Sequence, residues 1–215
     1  MIDAILFDMD GVLVDSERYW SRYWVDEVFP HVISGTPTTD EITGRSVDDT
    51  ISYLDSTYVL NKEPNELRAD AKSFAEEMYR DRATIQPEMS SLFETVHNSD
   101  GDIGVVSSAL RGWIEVMIEQ STLREPDIIV SADDLEAPGK PNPAVYNRAI
   151  DLLQATPSEC VVIEDSVQGA RAAKRAGTTV IRYQCDQPTE AIPEADHIAS
   201  DINDLQTQIS GFIEP

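Results

Sequence analysis

Five short apolar segments constrain most strongly what this chain can fold into. They span residues 4–7, 103–106, 128–130, 161–163 and 178–181, are rich in β-branched side chains and show little polar alternation. Such segments are typical of strands buried on both faces of a parallel sheet. Amphipathic stretches at 113–120, 143–154 and 166–176 predict helices between them, the last ending at Gly177. This alternation predicts an α/β fold with a doubly wound, Rossmann-like parallel sheet.

A long insertion separates the first two apolar segments. Residues 15–87 carry helical patterns at 17–28, 47–58 and 64–82 and no convincing strand. The insertion is far longer than a crossover between parallel strands requires. We therefore predict an all-helical cap over 15–87, inserted into an α/β core formed by 1–14 and 88–215.

Three of the predicted strands are followed directly by acidic or hydroxyl side chains. Because parallel strands all end at one edge of a sheet, and ligands bind at that edge, side chains far apart in sequence should converge there. The residues expected to converge are Asp8, Asp10, Ser107, Glu164 and Asp165.

A cluster of carboxylates is unfavourable without a counter-charge. Two unit charges about 4 Å apart repel by about 4 kcal/mol at an effective dielectric constant near 20. A hard divalent cation offsets that repulsion, and an oxygen-only set of ligands favours Mg²⁺ over zinc. The same cation would neutralise a phosphoryl group and hold it for in-line attack, so the pattern favours Mg²⁺ as cofactor.

Lys140, in the loop 139–143, supplies a cation for the same ligand. Gly11 allows a sharp turn after Asp10 and leaves backbone N–H groups free to face an anion. Taken singly, an aspartate at a strand end is more often a turn or cap residue, and Lys140 a solvated loop residue. Their joint occurrence favours a functional site.

The charge of the chain excludes some partners. With 40 acidic and 16 basic residues the net charge is −24, which disfavours nucleic acid and anionic membranes. No apolar run reaches the roughly 20 residues of a membrane-spanning helix, and we find no signal peptide, so a cytoplasmic location is expected. Cys160 and Cys185 match no metal-binding spacing, and free thiols are favoured over a disulfide. A monomer is the default expectation.

The acidic residues are spread along the chain and not gathered in a tail. Their mutual repulsion destabilises a compact state in dilute buffer. At about 1 M salt the Debye length falls to roughly 3 Å, and most of this repulsion is screened. We therefore interpret the chain as halophilic, that is, suited to a high-salt cytoplasm.

The segment 8–17, DMDGVLVDSE, resembles the first motif of the haloacid dehalogenase-like (HAD) hydrolases. Ser107, Lys140 and the segment 164–169 fall at the second, third and fourth motifs of that superfamily. The resemblance spans nearly the whole chain and is strongest to the β-phosphoglucomutase-like and phosphoglycolate phosphatase-like members with a helical cap.

The resemblance implies roles for individual residues. Asp8 would be the nucleophile that forms an aspartyl phosphate, and Asp10 the general acid and base, with a raised pKa while that of Asp8 stays near its reference value. Phosphate would be bound by Ser107, Ser108 and Lys140. The metal would be held by Asp8, the backbone carbonyl of Asp10, Asp165 and, directly or through water, Glu164.

The sequence leaves two other functions open. True β-phosphoglucomutases carry a histidine where this chain has Trp20, and a cap loop with lysine and arginine where it has 43–46, which includes Gly44 and Arg45. These departures favour a Mg²⁺-dependent phosphomonoester phosphatase, acting on a small phosphorylated metabolite, over a sugar phosphomutase. Trp20, Gly44 and Arg45 are candidate substrate contacts. A non-catalytic phosphometabolite binder is the third reading, against which the intact acidic motif argues.

Overall fold

The computed structural model describes residues 2–86, 88–184 and 193–213, so Pro87 and Cys185 lie outside the described residues. Its centre is a six-stranded, all-parallel sheet in the order β5–β4–β1–β6–β7–β8, which confirms the predicted fold class. The strands of this sheet are β1 (Ala4–Phe7), β4 (Asp102–Ser107), β5 (Ile128–Ser131), β6 (Cys160–Glu164), β7 (Thr179–Tyr183) and β8 (His197–Ala199).

The prediction from sequence missed β8, the sixth strand. It has three residues, and His197 and Ile198 are exposed. A strand this short, at the edge of the sheet, offers no apolar run of the kind that marks the buried strands.

Both faces of the sheet are covered because its central strands are apolar on both sides. All four residues of β1 are fully buried. Ile5 and Phe7 point into one core, which includes Phe93 at a ring distance of 4.9 Å, while Ala4 and Leu6 point into the other.

The helices of the core complete these two layers. In chain order they are α4 (Glu88–Asn98), α5 (Arg111–Glu119), α6 (Ala144–Leu153), α7 (Val167–Ala176) and α8 (Ile202–Ile213). Apolar residues of α4, α5 and α8 pack on one face and those of α6 and α7 on the other. Helix α7 ends at Gly177 in the left-handed region, as the sequence predicted.

The cap segment, residues 15–86, contains α1 (Glu17–Tyr23), α2 (Val47–Thr57) and α3 (Pro64–Asp81). A π-helical turn, Trp24–Val28, continues α1. The expectation of an all-helical cap was wrong in one respect: β2 (Val32–Ser34) and β3 (Val59–Leu60) form an antiparallel ribbon. Strands of three and two residues are too short to show an alternating pattern.

Two neighbouring chain segments connect the cap segment to the sheet. The Asp15 amide donates to the Thr84 carbonyl at 3.2 Å, and the Gln86 amide donates to the Leu13 carbonyl at 3.1 Å. The chain therefore leaves and rejoins the core at one place, directly after the end of β1. Among the described residues, no helix is long and apolar enough to cross a bilayer.

Candidate active site

The centre of the sheet is where its strand order reverses. From β1 the chain proceeds to β4 and β5 on one side, then crosses to β6, β7 and β8 on the other. The carboxyl ends of strands around such a reversal form a crevice in open α/β sheets. Asp8 follows β1, Ser107 ends β4 and Glu164 ends β6, so three adjacent strands deliver polar side chains to this crevice.

Lys140 joins two of these strand ends. Its Nζ donates to Asp8 Oδ1 at 3.0 Å and to Glu164 Oε1 at 2.6 Å. The three residues are buried, with exposed fractions of 3%, 5% and 0% for Lys140, Asp8 and Glu164. Burial alone would lower the pKa of the Lys140 ammonium, but the two carboxylates outweigh it and raise that pKa. The lysine therefore stays charged between them.

Glu164 is fully engaged by its neighbours. Besides Lys140, the Tyr146 hydroxyl donates to Oε1 at 2.6 Å, and the amide and hydroxyl of Ser166 donate to Oε2 at 3.3 and 3.0 Å. The carboxylate lies against the first turn of α7, where a Cβ on Gly169 would come within 1.8 Å of Oε1. Only glycine fits there.

Three carboxylates could share a cation. Oxygens of Asp8, Glu164 and Asp165 lie within 4.8 Å of one another. Burial and the charge of Glu164 raise the pKa of Asp8 well above its usual value, contrary to the expectation that it stays near the reference; Lys140 offsets this only in part. Burial, with the charges of Glu17 and Glu164, likewise raises the pKa of Asp165. A hard, oxygen-only donor set with uncompensated negative charge fits a divalent cation such as Mg²⁺.

Gly11 lets the first motif approach this cluster closely. Its φ is +76°, and a Cβ there would lie 2.0 Å from Asp165 Oδ2. The turn predicted from the sequence is thus also a contact between the segments that follow β1 and β6.

Asp10 has a different environment from Asp8. Its Oδ1 accepts hydrogen bonds from the Ser16 hydroxyl and, at 2.7 Å, from the Tyr79 hydroxyl of α3. Desolvation raises the pKa of Asp10, and the two hydroxyl donors counteract part of that rise. The direction agrees with the raised pKa expected of a general acid.

The remaining candidate residues lie on both sides of the boundary between core and cap segment. Ser107 is buried, and its Oγ accepts from the Ala109 amide at 3.0 Å. The Ser108 hydroxyl donates across the boundary to the carbonyl of Gly44 at 3.2 Å. Arg45 stacks over Tyr53 at 4.9 Å and donates to the Glu41 carbonyl, within the cap segment. Trp20 is buried in an aromatic cluster with Trp24 and Phe74.

A cleft of about 170 Å³ lies between α2 and the loops after β4 and β5. Ser108 and Gly139 place the cleft beside the candidate site residues, whereas the lining of a larger cavity of about 540 Å³ between α1 and α3 includes none of the residues that the sequence proposed for the site. Of the described residues that line the cleft, Lys72 is the one basic side chain, and it is paired with Asp48 at 3.1 Å. The cleft also contains the carboxylates of Asp49 and Asp133.

Sequence reasoning missed several residues that touch the site. Tyr146 and Tyr79 are aromatic residues on the buried faces of helices, a pattern that indicates only core packing. Ser16 and Glu17 belong to the first motif but received no role. Burial, followed by the charges of Asp10 and Glu164, raises the pKa of Glu17 to about 7, so it too is part of the acidic cluster.

The chain resembles known proteins in sequence and in fold. A family model described as haloacid dehalogenase-like hydrolase matches residues 5–183. The chain is 28% identical over 211 residues to validoxylamine A 7'-phosphate phosphatase of Streptomyces hygroscopicus subsp. limoneus, covering 96% of this chain and 97% of that protein. It is 25% identical over 224 residues to pyrophosphatase PpaX of Bacillus mycoides, covering 95% of each. The crystal structure of CbbY from Rhodobacter sphaeroides in complex with phosphate matches with a TM-score of 0.73 and 22% identity, over 95% of this chain and 96% of that one.

Proposed function

This chain belongs to the haloacid dehalogenase-like hydrolases, and from that premise we propose that it is a Mg²⁺-dependent phosphatase that hydrolyses a phosphomonoester of a small metabolite. The observation that carries the proposal is the arrangement of two aspartates at the end of β1, Asp8 paired with the buried Lys140 and Asp10 held by hydroxyl donors. Relatives named as a phosphatase and a pyrophosphatase, matched over nearly their whole length, support hydrolysis at a phosphate group.

Asp8 and Asp10 divide the chemistry between them. A carboxylate oxygen of Asp8 attacks phosphorus, the bond from phosphorus to the leaving oxygen breaks, and Asp10 gives that oxygen a proton. Water then attacks the aspartyl phosphate, Asp10 accepts a proton from that water, and inorganic phosphate leaves with Asp8 restored. Ser107, Ser108 and Lys140 bind the phosphoryl oxygens, and Lys140 also keeps Asp8 in place.

The acidic cluster is the proposed Mg²⁺ site. Asp8, Asp165 and the backbone carbonyl of Asp10 would hold the ion, with Glu164 acting through water because its own oxygens already accept bonds from Lys140, Tyr146 and Ser166. The cation supplies positive charge that offsets the carboxylates and the incoming phosphoryl group.

The cleft beside Ser108 favours a phosphatase over a sugar phosphomutase. A mutase must bind a second phosphate, which needs cationic or amide donors. In the described part of the cleft the one basic side chain, Lys72, is paired with Asp48, and Arg45 is engaged with Tyr53 and Glu41. A leaving group without a second phosphate is the better match to these walls.

Hydrolysis of 4-nitrophenyl phosphate, with Mg²⁺ or with EDTA and in high salt, tests the proposal. We expect turnover that requires Mg²⁺ and vanishes in Asp8→Asn. The matched control Asp55→Asn, an exposed residue of α2, should keep wild-type activity. Folded wild-type protein that gives no turnover would contradict the proposal, and phosphate binding by such an inactive wild-type protein would indicate a binder.

A further inference from the structure

The Asp10 carboxylate is held asymmetrically. Both Ser16 and Tyr79 donate to the same oxygen, Oδ1, the Tyr79 bond measuring 2.7 Å. A carboxylate oxygen offers about two lone-pair sites, so two donors saturate Oδ1. These donors leave Oδ2 as the oxygen that can exchange a proton with a substrate.

The polarity of the bond from Tyr79 is fixed by a third residue. The Trp20 indole N–H donates to the Tyr79 hydroxyl at 3.1 Å. Because an indole N–H can only donate, the hydroxyl oxygen accepts from Trp20 and its own proton is directed to Asp10. Burial raises the pKa of Tyr79 well above its usual value, which keeps this proton in place.

Tyr79 reaches Asp10 from the cap segment. It lies near the end of α3, 69 residues from Asp10 in sequence, and is fully buried. The Trp113 ring of α5 stacks against it with centroids 5.6 Å apart and an interplanar angle of 28°. Core and cap segment therefore clamp the tyrosine between them, so its position depends on how the cap sits on the core.

We propose that Tyr79 is a positioning residue for the general acid: its hydroxyl, together with that of Ser16, fixes which oxygen of Asp10 carries the proton that is donated. The inference rests on the proposed phosphatase function and adds a residue to it. With Oδ1 saturated, the acidic proton of Asp10 sits on Oδ2. From there it passes to the leaving oxygen as the bond between that oxygen and phosphorus breaks and the bond from Asp8 to phosphorus forms.

The test compares two substrates of similar shape, phenyl phosphate and 4-nitrophenyl phosphate. Phenolate is a poor leaving group that needs a proton, whereas 4-nitrophenolate leaves readily without one. The ratio kcat/KM reports the steps up to formation of the aspartyl phosphate. In Tyr79→Phe we expect kcat/KM for phenyl phosphate to fall roughly 10- to 100-fold, since general acids contribute 10²–10⁴-fold. For 4-nitrophenyl phosphate the fall should be at most about threefold.

The matched control is Tyr58→Phe, which also removes a hydroxyl that donates to a cap carboxylate, Glu41 at 3.0 Å, away from Asp10. Both substrates should react with it as with wild type. The ratio of the two kcat/KM values within one variant does not depend on how much of the protein is folded, so partial misfolding of Tyr79→Phe does not obscure the result.

The outcomes distinguish a wrong phosphatase function from a wrong role for Tyr79. If the wild-type protein hydrolyses neither substrate in the presence of Mg²⁺, the proposed function fails. If the wild type hydrolyses both and Tyr79→Phe loses activity equally on both, or on neither, the phosphatase proposal stands and the role of Tyr79 is wrong. Trp20→Phe, which removes the donor to Tyr79, should shift the substrate ratio in the same direction by a smaller factor.

Discussion

Asp8 and Asp10 stand two residues apart, yet different parts of the molecule hold them. Asp8 is fixed by Lys140, which follows β5, and through Lys140 by Glu164 at the end of β6. Asp10 is fixed by Ser16 and Tyr79, which come from the beginning and the end of the cap segment. The proposed nucleophile thus lies at the end of a sheet strand, and the proposed acid lies at the boundary with the cap segment.

This difference separates contacts made within the core from contacts made between the core and the cap segment. The Asp8 group is built from strand ends whose positions the sheet register sets. The Asp10 group needs α3 to lie against α5. In such an arrangement the core alone holds the proposed nucleophile, whereas the position of the proposed acid also depends on how the cap segment packs on the core.

The largest effect should come from removing the charge that holds the Asp8 group. Lys140→Met leaves the carboxylates of Asp8 and Glu164 buried without their cation, which costs about 3–5 kcal/mol when one member of a buried pair is removed. We expect activity to fall at least about 100-fold and unfolding by urea to occur at a lower concentration. Lys62→Met, which breaks a partly exposed pair with Asp70 in the cap segment, should change neither by much. Equal effects of the two substitutions would remove the distinction between core and cap.

The Asp8 group was also the more predictable part of the site. Strand ends can be inferred from apolar runs, and a parallel sheet brings its strand ends to one edge, so Asp8 and Glu164 could be named from the sequence. Lys140 was named from the loop 139–143. The fold class followed from the same runs. The sequence did not predict the shortest strands, because β8 and the β2–β3 ribbon bury too few residues to show an apolar pattern.

The partners of Asp10 could not be predicted in the same way. Tyr79 sits at a buried position of α3 beside Leu67, Ala71, Ala75 and Met78, where periodicity indicates only a core residue. Its contact with Asp10 depends on how the inserted segment docks, and no local pattern encodes that docking. Tyr146 of α6 was missed for the same reason, since a buried tyrosine hydroxyl looks in sequence like any aromatic core position.

A substitution at Gly169 tests how strictly the Glu164 carboxylate must be positioned within the Asp8 group. Gly169→Ala would place a Cβ within 1.8 Å of the Glu164 carboxylate, so Glu164 or α7 must move. Overpacking of this kind costs about 1–3 kcal/mol, and displacement of Glu164 also loosens Lys140. We expect lower thermal stability together with lower kcat. Gly211→Ala, in α8 with nothing within 4 Å of the added Cβ, should be neutral or slightly stabilising. A stable, fully active Gly169→Ala would show that the Glu164 position tolerates movement.

A smaller, pH-dependent effect is expected at Glu17, which lies between the two groups. Its pKa is about 7 in the folded protein against an ordinary value of 4.5, mainly because of burial and then the charges of Asp10 and Glu164. The folded state therefore binds the proton more tightly than the unfolded state. The stability contributed by neutral Glu17 is complete below pH 4.5 and is lost as the pH rises through about 7.

Glu17→Gln should remove this part of the pH dependence. Relative to wild type, the variant should gain stability between pH 5 and pH 8, as measured by the urea midpoint in EDTA at each pH. Added Mg²⁺ should reduce the gain, because the cation compensates the same charge. A midpoint difference that is independent of pH would show that Glu17 titrates normally and does not belong to the acidic cluster.

The smallest effect on the site should come from salt. Salt screens the exposed acidic surface, and the buried groups around Asp8 and Asp10 are not part of that surface. Because the net charge is −24, raising KCl from about 0.1 M to 2 M should increase the midpoint of thermal unfolding by several degrees. Screening a repulsion of about 1 kcal/mol shifts Tm by roughly 2–4 °C in a chain of this size. Asp8, Lys140 and Glu164 are buried, so salt does not screen them and the Lys140→Met penalty should be the same at both concentrations. Thermal unfolding of wild type and Lys140→Met at the two salt concentrations checks both statements. If the wild-type midpoint falls with salt, the acidic surface is not an adaptation to it. If the Lys140→Met penalty shrinks, solvent ions reach Asp8, and this carboxylate is less enclosed than its burial indicates.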